Sequence, residues 1–224
     1  MGEKNGGIKL ELKYLVIILS LVCIIFLYAI SSFSLPKEID LKDIPKFDQK
    51  DVIIKGFVTK YYSTQYGSTI IEIRDLSNQS EATIFLEEEY GVEYGDYIQA
   101  TGKVTQYNKE WEVVVGESTF IKILQKWDKQ YLPLWAVANN PEKYIDMNVN
   151  TSGIIDRKYD SYFYLMDFDD RFTIAIYCDT NLLMNLTEGQ EVSVGGRFIY
   201  DSETLRFIII VNDTNHFIVE NERK

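Results

Sequence analysis

The chain has 224 residues, of which 46% are hydrophobic, and its formal net charge is −11. This hydrophobic content is sufficient for the cores of one or two small domains. One of the two cysteines, Cys23, lies in an apolar segment and leaves Cys178 alone, so a disulfide-stapled secreted scaffold is excluded.

The first predicted element is an apolar helix over residues 14–33, which contain no charged side chain. About twenty apolar residues are needed to span the ~30 Å core of a bilayer. The segment exceeds the usual length of a signal-peptide core, which favours an uncleaved single-pass anchor behind a short tail at 1–13. The acidity of the remaining chain and its four Asn-x-Ser/Thr triplets favour a cytoplasmic N-terminus and an extracellular soluble part.

A polar stalk is predicted at residues 34–50, followed by a first domain at 51–125. Alternation of Thr69, Ile71 and Ile73 with more polar neighbours is typical of a half-buried strand. Five strands are predicted in this domain, at 52–62, 68–75, 81–86, 96–105 and 110–116, and a helical turn is expected in the link at 87–95.

A linker at 126–144 leads to a second domain at 145–219, which repeats this order before a tail at 220–224. Its strands are predicted at 148–157, 162–167, 172–178, 190–200 and 204–211, with a short helix at 179–186. Gly56 and Gly102 match Gly153 and Gly196 in the second copy. Glycines inside strands indicate bulges or bends that let a small sheet close.

Three strands, a short helix and two further strands resemble the OB-fold, a partly open five-stranded barrel. The segments GDYIQATGKV (95–104), GQEVSVGGRF (189–198) and NPEKYIDMNVNTSGII (140–155) are similar to tandem OB-fold proteins of the tRNA-anticodon-binding and single-stranded nucleic-acid-binding types. The resemblance implies an all-β protein with two tandem five-stranded OB-fold-like barrels, preceded by one transmembrane helix. A β-sandwich with the same number of strands is the alternative.

OB-folds bind extended polymers across their second and third strands, framed by two loops. Aromatic rings there can stack on bases at about 1–3 kcal/mol each, and cations can neutralise phosphates. The first copy offers Tyr61, Tyr62, Tyr66, Arg74, Lys103, Tyr107 and Trp111. The second copy offers Arg157, Tyr162, Tyr164, Arg171, Arg197 and Tyr200, with Tyr159 and Arg206 nearby. Tyrosine is also an ordinary strand residue, so several of these rings are equally expected to cover barrel ends.

The charge argues against nucleic acid, because its affinity depends on phosphate neutralisation. Residues 51–125 contain six basic and twelve acidic side chains, and residues 145–224 contain seven and fourteen. We therefore predict a membrane-anchored binding protein for an extended polymer or a partner, such as a glycan or a protein, at the membrane surface. Single-stranded nucleic acid is the alternative ligand.

Residues 124–133, LQKWDKQYLP, resemble the tail L-A-K-H-D-E-x-Y-x-P of the membrane-anchored haem chaperone of cytochrome c maturation. That resemblance would make Tyr131 a haem contact, although Trp127 stands where the family has its haem-attaching histidine. The other interpretation is a linker that packs Trp127, Tyr131 and Trp135 against one barrel. His216, the only histidine, is expected in a solvated turn.

Catalytic and metal-binding patterns are missing from the sequence. It has no phosphate-binding glycine loop, no His/Cys ligand spacing and no nucleophile with a convincing base. Asp167, Asp169 and Asp170 could attract Ca²⁺, but the twelve-residue calcium loop is absent. We therefore predict a protein that is not an enzyme, with no catalytic residue, metal or cofactor.

Overall fold

A computed structural model of the protein describes residues 12–33 and 35–221, with side chains of the first helix described at 13–28. The predicted tails at 1–13 and 220–224 therefore lie largely outside the described residues. Helix α1 (Leu12–Phe33) has large apolar side chains between residues 13 and 28 that are exposed over about half of their surface or more. Among the described residues, no helix has both the length and the apolar character required to cross a bilayer. The anchor at 14–33 stays a prediction.

The first barrel consists of β2 (Asp51–Ser63), β3 (Thr69–Arg74), β4 (Glu81–Leu86), β5 (Tyr97–Tyr107) and β6 (Glu110–Val115). Strands β2, β3 and β4 pair antiparallel, β4 pairs parallel with β6, and β5 closes the ring between β6 and β2. Inward side chains such as Ile54, Ile71 and Ile84 form its core. The five predicted strands are confirmed, but the link at 87–95 contains no helical turn.

The segment predicted as a stalk is part of the first barrel. Strand β1 (Lys37–Glu38) pairs in parallel with the start of β2, and a 3₁₀ helix (Leu41–Phe47) inserts Leu41 and Ile44 into the core. These two are the only buried residues that the structure describes between 35 and 50. Because charged residues surround them, the sequence shows no apolar pattern that would predict a core contribution. Strand β7 (Ile121–Gln125), which was not predicted, extends the sheet beside β5.

The second barrel follows two short helices, α2 (Leu134–Asn139) and α3 (Pro141–Tyr144). It consists of β8 (Met147–Lys158), β9 (Tyr162–Met166), β10 (Thr173–Cys178), α4 (Thr180–Met184), β11 (Glu191–Asp201) and β12 (Arg206–Val211). The pairings close in the same order as in the first barrel, and β13 (Phe217–Glu220) adds to β11. The predicted helix is confirmed as α4, which begins where the Asp179 carboxylate accepts a hydrogen bond from the Asn181 backbone at 2.8 Å.

Details of the backbone repeat between the two barrels. Strands β2 and β8 each carry one bulge, at Thr59 and Asp156, three residues after the matched glycines Gly56 and Gly153. A Cβ atom at Gly102 would lie 2.4 Å from a carbonyl oxygen of β6, so this position accepts only glycine without a shift. The predicted repeat therefore extends from the strand order to the irregularities, although the bulges do not fall on the glycines themselves.

Trp127 lies between the two barrels, with 2% of its surface exposed. Its backbone nitrogen donates to Asp96 at 3.1 Å, and its Nε1 donates to Glu93 at 2.5 Å, both in the first barrel. The rings of His216 and Phe217, which flank the start of β13, lie 5.9 and 6.0 Å from the indole. The predicted linker is therefore an interface that contacts both barrels.

Two sequence expectations need correction at this interface. His216 is half-buried rather than solvated, and its Nδ1 accepts hydrogen bonds from the backbone of Asn212 and Asp213 at 3.2 Å. Burial lowers the pKa of His216. Trp127 is buried as the packed-linker interpretation requires, but Tyr131 and Trp135 remain 53% and 47% exposed. A haem site receives no support from this arrangement.

Candidate functional site

The strand register of the second barrel arranges outward side chains in rows across β9, β10 and β12. Residues that face each other on neighbouring strands share one face of the sheet. Tyr162 on β9 is opposite Tyr177 on β10, and Tyr177 is level with Ile210 on β12. Their neighbours Phe163 and Ile176 point inward and are fully buried in the core. The outer row is thus fixed by simple alternation.

Four tyrosines gather on this outer surface, and we call Tyr159, Tyr162, Tyr164 and Tyr177 the tyrosine face. The ring of Tyr162 lies between those of Tyr159 and Tyr177, with centroids 4.7 and 5.0 Å apart and interplanar angles of 17° and 18°. The ring of Tyr164 meets those of Tyr159 and Tyr162 edge-on, at 6.0 and 5.6 Å. The 4.7 and 5.0 Å ring distances along this column match the ~4.8 Å distance between neighbouring strands, so the sheet itself sets the stacking interval.

Two arginines flank the tyrosine face. Arg206 donates from Nη1 to the hydroxyl of Tyr164 at 2.7 Å, and Arg157 lies 5.3 Å from the centroid of the same ring. Arg157 is already paired with Asp156 at 3.0 Å. Among the described residues, no carboxylate forms an ion pair with Arg206. Arg206 is therefore the cation of this face that is best placed to hold an anionic group.

Hydrogen bonding and burial shift the pKa of two groups on this face, Arg206 and Tyr162. The hydrogen bond from Arg206 to the Tyr164 hydroxyl raises the pKa of Arg206, which is charged at every ordinary pH. Burial among neighbouring rings raises the pKa of Tyr162. Arg206 is therefore a permanent positive charge beside the tyrosine face.

Two other predicted cations lie between the barrels rather than on a ligand face. The guanidinium of Arg197 sits 3.2 Å from the centroid of the Tyr94 ring, and its Nη2 donates to the Thr59 carbonyl at 3.3 Å. Burial lowers the pKa of Arg197. Arg74 donates to the carbonyl of Ile145 at 3.0 Å. Both side chains join the barrels, and the structure does not bring them to the tyrosine face.

The remaining predicted residues of the second barrel stand apart. Arg171 lies in the loop after β9, at the opposite end from Tyr162, and pairs with Asp169 at 2.8 Å. Tyr200 is on the inward row of β11, opposite Phe207, and its ring lies 5.2 Å from that ring. Tyr200 therefore covers an end of the barrel, as the second interpretation of these rings allowed.

The first barrel does not gather its predicted residues into one surface. Tyr61 and Trp111 pack against the core, and Lys103 lines a separate groove beside Phe120. The exposed rings are Tyr62, Tyr66 and Tyr107, at 45%, 85% and 66%. Among the described residues, no ring contact joins these three. The tyrosine face of the second barrel therefore has no counterpart here.

Sequence reasoning named Tyr162, Tyr164 and Arg157 but missed Tyr177. Alternation along the third strand of the barrel could have indicated Tyr177, because it lies on the same face of that strand as Thr173 and Ala175. Tyr131, the residue suggested by the haem resemblance, forms a backbone bridge with Asn150. The residues that the structure describes hold no group of three or more His, Cys, Asp or Glu side chains placed to bind a metal.

No protein-family model and no curated protein matches the sequence. Solved structures with similar parts include the asparaginyl-tRNA synthetase of Pyrococcus horikoshii, at 16% identity over 39% of this chain and 23% of that one, with a TM-score of 0.34. The second OB-fold domain of replication protein A from Methanococcus maripaludis is 19% identical over 39% of this chain and 97% of that one, with a TM-score of 0.30. An OBody bound to hen egg-white lysozyme is 20% identical over 38% and 91%, with a TM-score of 0.32.

The matched part of this chain spans less than a quarter of the synthetase. The fold assignment rests on the strand pairings described above, and these similarities add nothing to it about ligands. What the site offers chemically comes from its own residues: stacked tyrosine rings, the guanidinium of Arg206, which forms no ion pair with a carboxylate of the described residues, and the guanidinium of Arg157, which is paired with Asp156.

Proposed function

We propose that the chain binds single-stranded nucleic acid on the tyrosine face of its second barrel, without catalysis. The observation that carries the proposal is the column of near-parallel rings of Tyr159, Tyr162 and Tyr177, with Arg206 beside it. Flat unsaturated rings such as bases stack on tyrosine, and a guanidinium holds phosphate. This favours the alternative ligand over the polymer or partner first predicted from the sequence.

The energetics point to binding by stacking rather than by bulk charge. Each stacked base contributes about 1–3 kcal/mol, whereas residues 145–224 contain seven basic and fourteen acidic side chains. On single strands, each neutralised phosphate changes the slope of log K against log salt by about −0.7. With Arg206 and Arg157 as the cations, we expect a slope of roughly −0.7 to −1.4.

The test uses the full-length chain in a mild detergent and fluorescence anisotropy with a labelled oligothymidylate. Tyr159→Ala should weaken binding by about 5- to 150-fold, because this ring ends the column, is 42% exposed and would lose roughly 1–3 kcal/mol of stacking on a base. Arg206→Gln should reduce the magnitude of the salt slope by about 0.7. Tyr66→Ala is the matched control, because this ring is 85% exposed on the first barrel. Absent binding, or equal effects of the two tyrosine variants, would contradict the proposal.

The acidity of this half of the chain favours a second candidate ligand, an uncharged or basic partner such as a glycan or a protein. Tyrosine is enriched at protein interfaces, because a rigid ring gives contact area at little cost in entropy. The two candidates differ in their response to salt. Binding of a partner that Tyr159→Ala weakens, with no measurable affinity for oligonucleotides, would favour this second function.

We also propose that residues 14–33 hold the barrels at a membrane, with the tyrosine face on the extracellular side. The support is the uncharged sequence of this segment and the exposure of every described side chain from residue 13 to residue 28. Alkaline extraction of membranes should leave the full chain in the pellet and release a variant that lacks residues 1–34. Release of both would contradict the anchor.

A further inference from the structure

The column of rings stops at Tyr177, and an open groove lies beyond it. The next position in the same row across the sheet is Ile210 on β12. The groove at this place has a volume of about 600 Å³, and its lining includes Tyr177, Asp179, Leu182, Ile210 and Asp213. This volume lies within the roughly 300–1,000 Å³ that is usual for sites of small ligands.

The position of the groove suits one further planar ring. Tyr159, Tyr162 and Tyr177 follow one another at 4.7 and 5.0 Å, close to the distance between strands. A ring placed over Ile210 would therefore occupy the next interval and stack on the free side of Tyr177. Ile210 and Leu182 supply apolar contacts to such a ring.

The rim of this groove offers hydrogen-bond acceptors. Its charged groups are the carboxylates of Asp179 and Asp213, and no lysine or arginine is among its lining residues. His216 also lines it, and its Nδ1 accepts two backbone N–H groups, which places the proton of the neutral ring on Nε2. A hydrogen bond from Thr214 lowers the pKa of Asp213, so this carboxylate is ionised at neutral pH.

We infer that the groove selects a base whose edge carries hydrogen-bond donors, guanine above all, as the end member of the tyrosine column. The inference rests on the proposed function and adds base selectivity to it. The N1–H and the N2 amino group of guanine can both donate to one carboxylate. Thymine and uracil would turn carbonyl oxygens toward the same carboxylates and be repelled. A good two-point contact discriminates between bases by about 1–3 kcal/mol.

The test compares labelled nine-residue oligothymidylate with the same oligomer that carries one central dG, measured with the full-length chain in detergent. We expect the dG oligomer to bind about 5- to 150-fold more tightly. An oligomer with inosine, which lacks the N2 amino group, should show a smaller preference. Asp213→Asn and Asp179→Asn keep the size of each side chain, and asparagine remains a good cap for α4. At least one of these two variants should bind the dG oligomer and the oligothymidylate about equally.

The possible results separate the two proposals. If oligothymidylate binds but dG gives no preference, or if both aspartate variants retain the preference, the inference about the groove is overturned and the proposed function stands. If none of the oligomers binds, both are overturned. Tyr66→Ala should keep the full dG preference, and a preference that changed in this control would also count against the groove.

Discussion

Replacing Trp127 by alanine should uncouple the two barrels. The indole is 2% exposed, donates to Glu93 at 2.5 Å and lies 6.0 Å from the ring of Phe217 at an angle of 17°. Truncation of a buried aromatic side chain costs about 3–5 kcal/mol of unfolding free energy. Because the contacts of Trp127 reach both barrels, we expect this loss to fall on the interface between them.

The assay is urea denaturation of the full-length chain followed by circular dichroism. With a slope of about 2 kcal/mol per molar urea, a loss of about 4 kcal/mol lowers the first midpoint by about 2 M. We expect one transition for the wild type and two for Trp127→Ala. Trp127→Phe, which keeps the ring but loses the hydrogen bond to Glu93, should cost about 1–3 kcal/mol.

Trp135→Ala is the control for this prediction. Trp135 lies on α2, in the same linker, but is 47% exposed, and surface substitutions usually change stability by about 0.5 kcal/mol or less. If Trp127→Ala and Trp135→Ala gave the same midpoint and one transition each, the prediction that buried Trp127 couples the two barrels would be refuted.

Three further predictions concern protonation and backbone packing. Burial lowers the pKa of His216, so its contribution to stability should be present above the unfolded pKa of about 6.5 and be lost as pH falls toward the folded value. Urea denaturation between pH 8 and pH 5 should show this loss. His216→Gln should flatten the plot of unfolding free energy against pH. Burial raises the pKa of Cys178 to about 11. In a Cys23→Ser variant, iodoacetamide should therefore alkylate Cys178 roughly 100-fold more slowly at pH 8 than it alkylates an exposed thiol. Equal rates would contradict this prediction. Gly102→Ala should lower the unfolding free energy by about 1–3 kcal/mol, because its Cβ would meet a backbone oxygen at 2.4 Å. Gly91→Ala is the control. A Cβ there has nothing within 4 Å, so the urea midpoint should change little.

Alternation of side chains predicted the barrels well. Every predicted barrel strand begins and ends within two residues of an observed one, and the repeat fixed their order in both halves. Strands β1, β7 and β13 were missed because they are short and mostly exposed, so they show little alternation. The segment at 41–47 was missed because two buried residues are too few to outweigh the charges around them.

The candidate site was predictable only where it depends on one strand. Tyr162 and Tyr164 were named because they fall in the second strand of the second barrel, whose ligand role the fold resemblance implied. Arg74 and Arg197 were named for their charge, yet their partners lie in the other barrel, 71 and 138 residues away along the chain. Contacts at such separation leave no local pattern in a single sequence.

The position of Trp127 between the barrels has a consequence for the order in which the chain folds during synthesis. Glu93, which accepts from the indole, and Asp96, which accepts from the Trp127 backbone nitrogen, both precede Trp127 in the chain, whereas Phe217 lies at the start of the last strand. Domains generally fold from the N-terminus as the ribosome releases them. The indole would therefore rest on the first barrel, half covered, until translation is almost complete. A nascent chain truncated before residue 217 should expose Trp127 to fluorescence quenchers, and the finished chain should protect it.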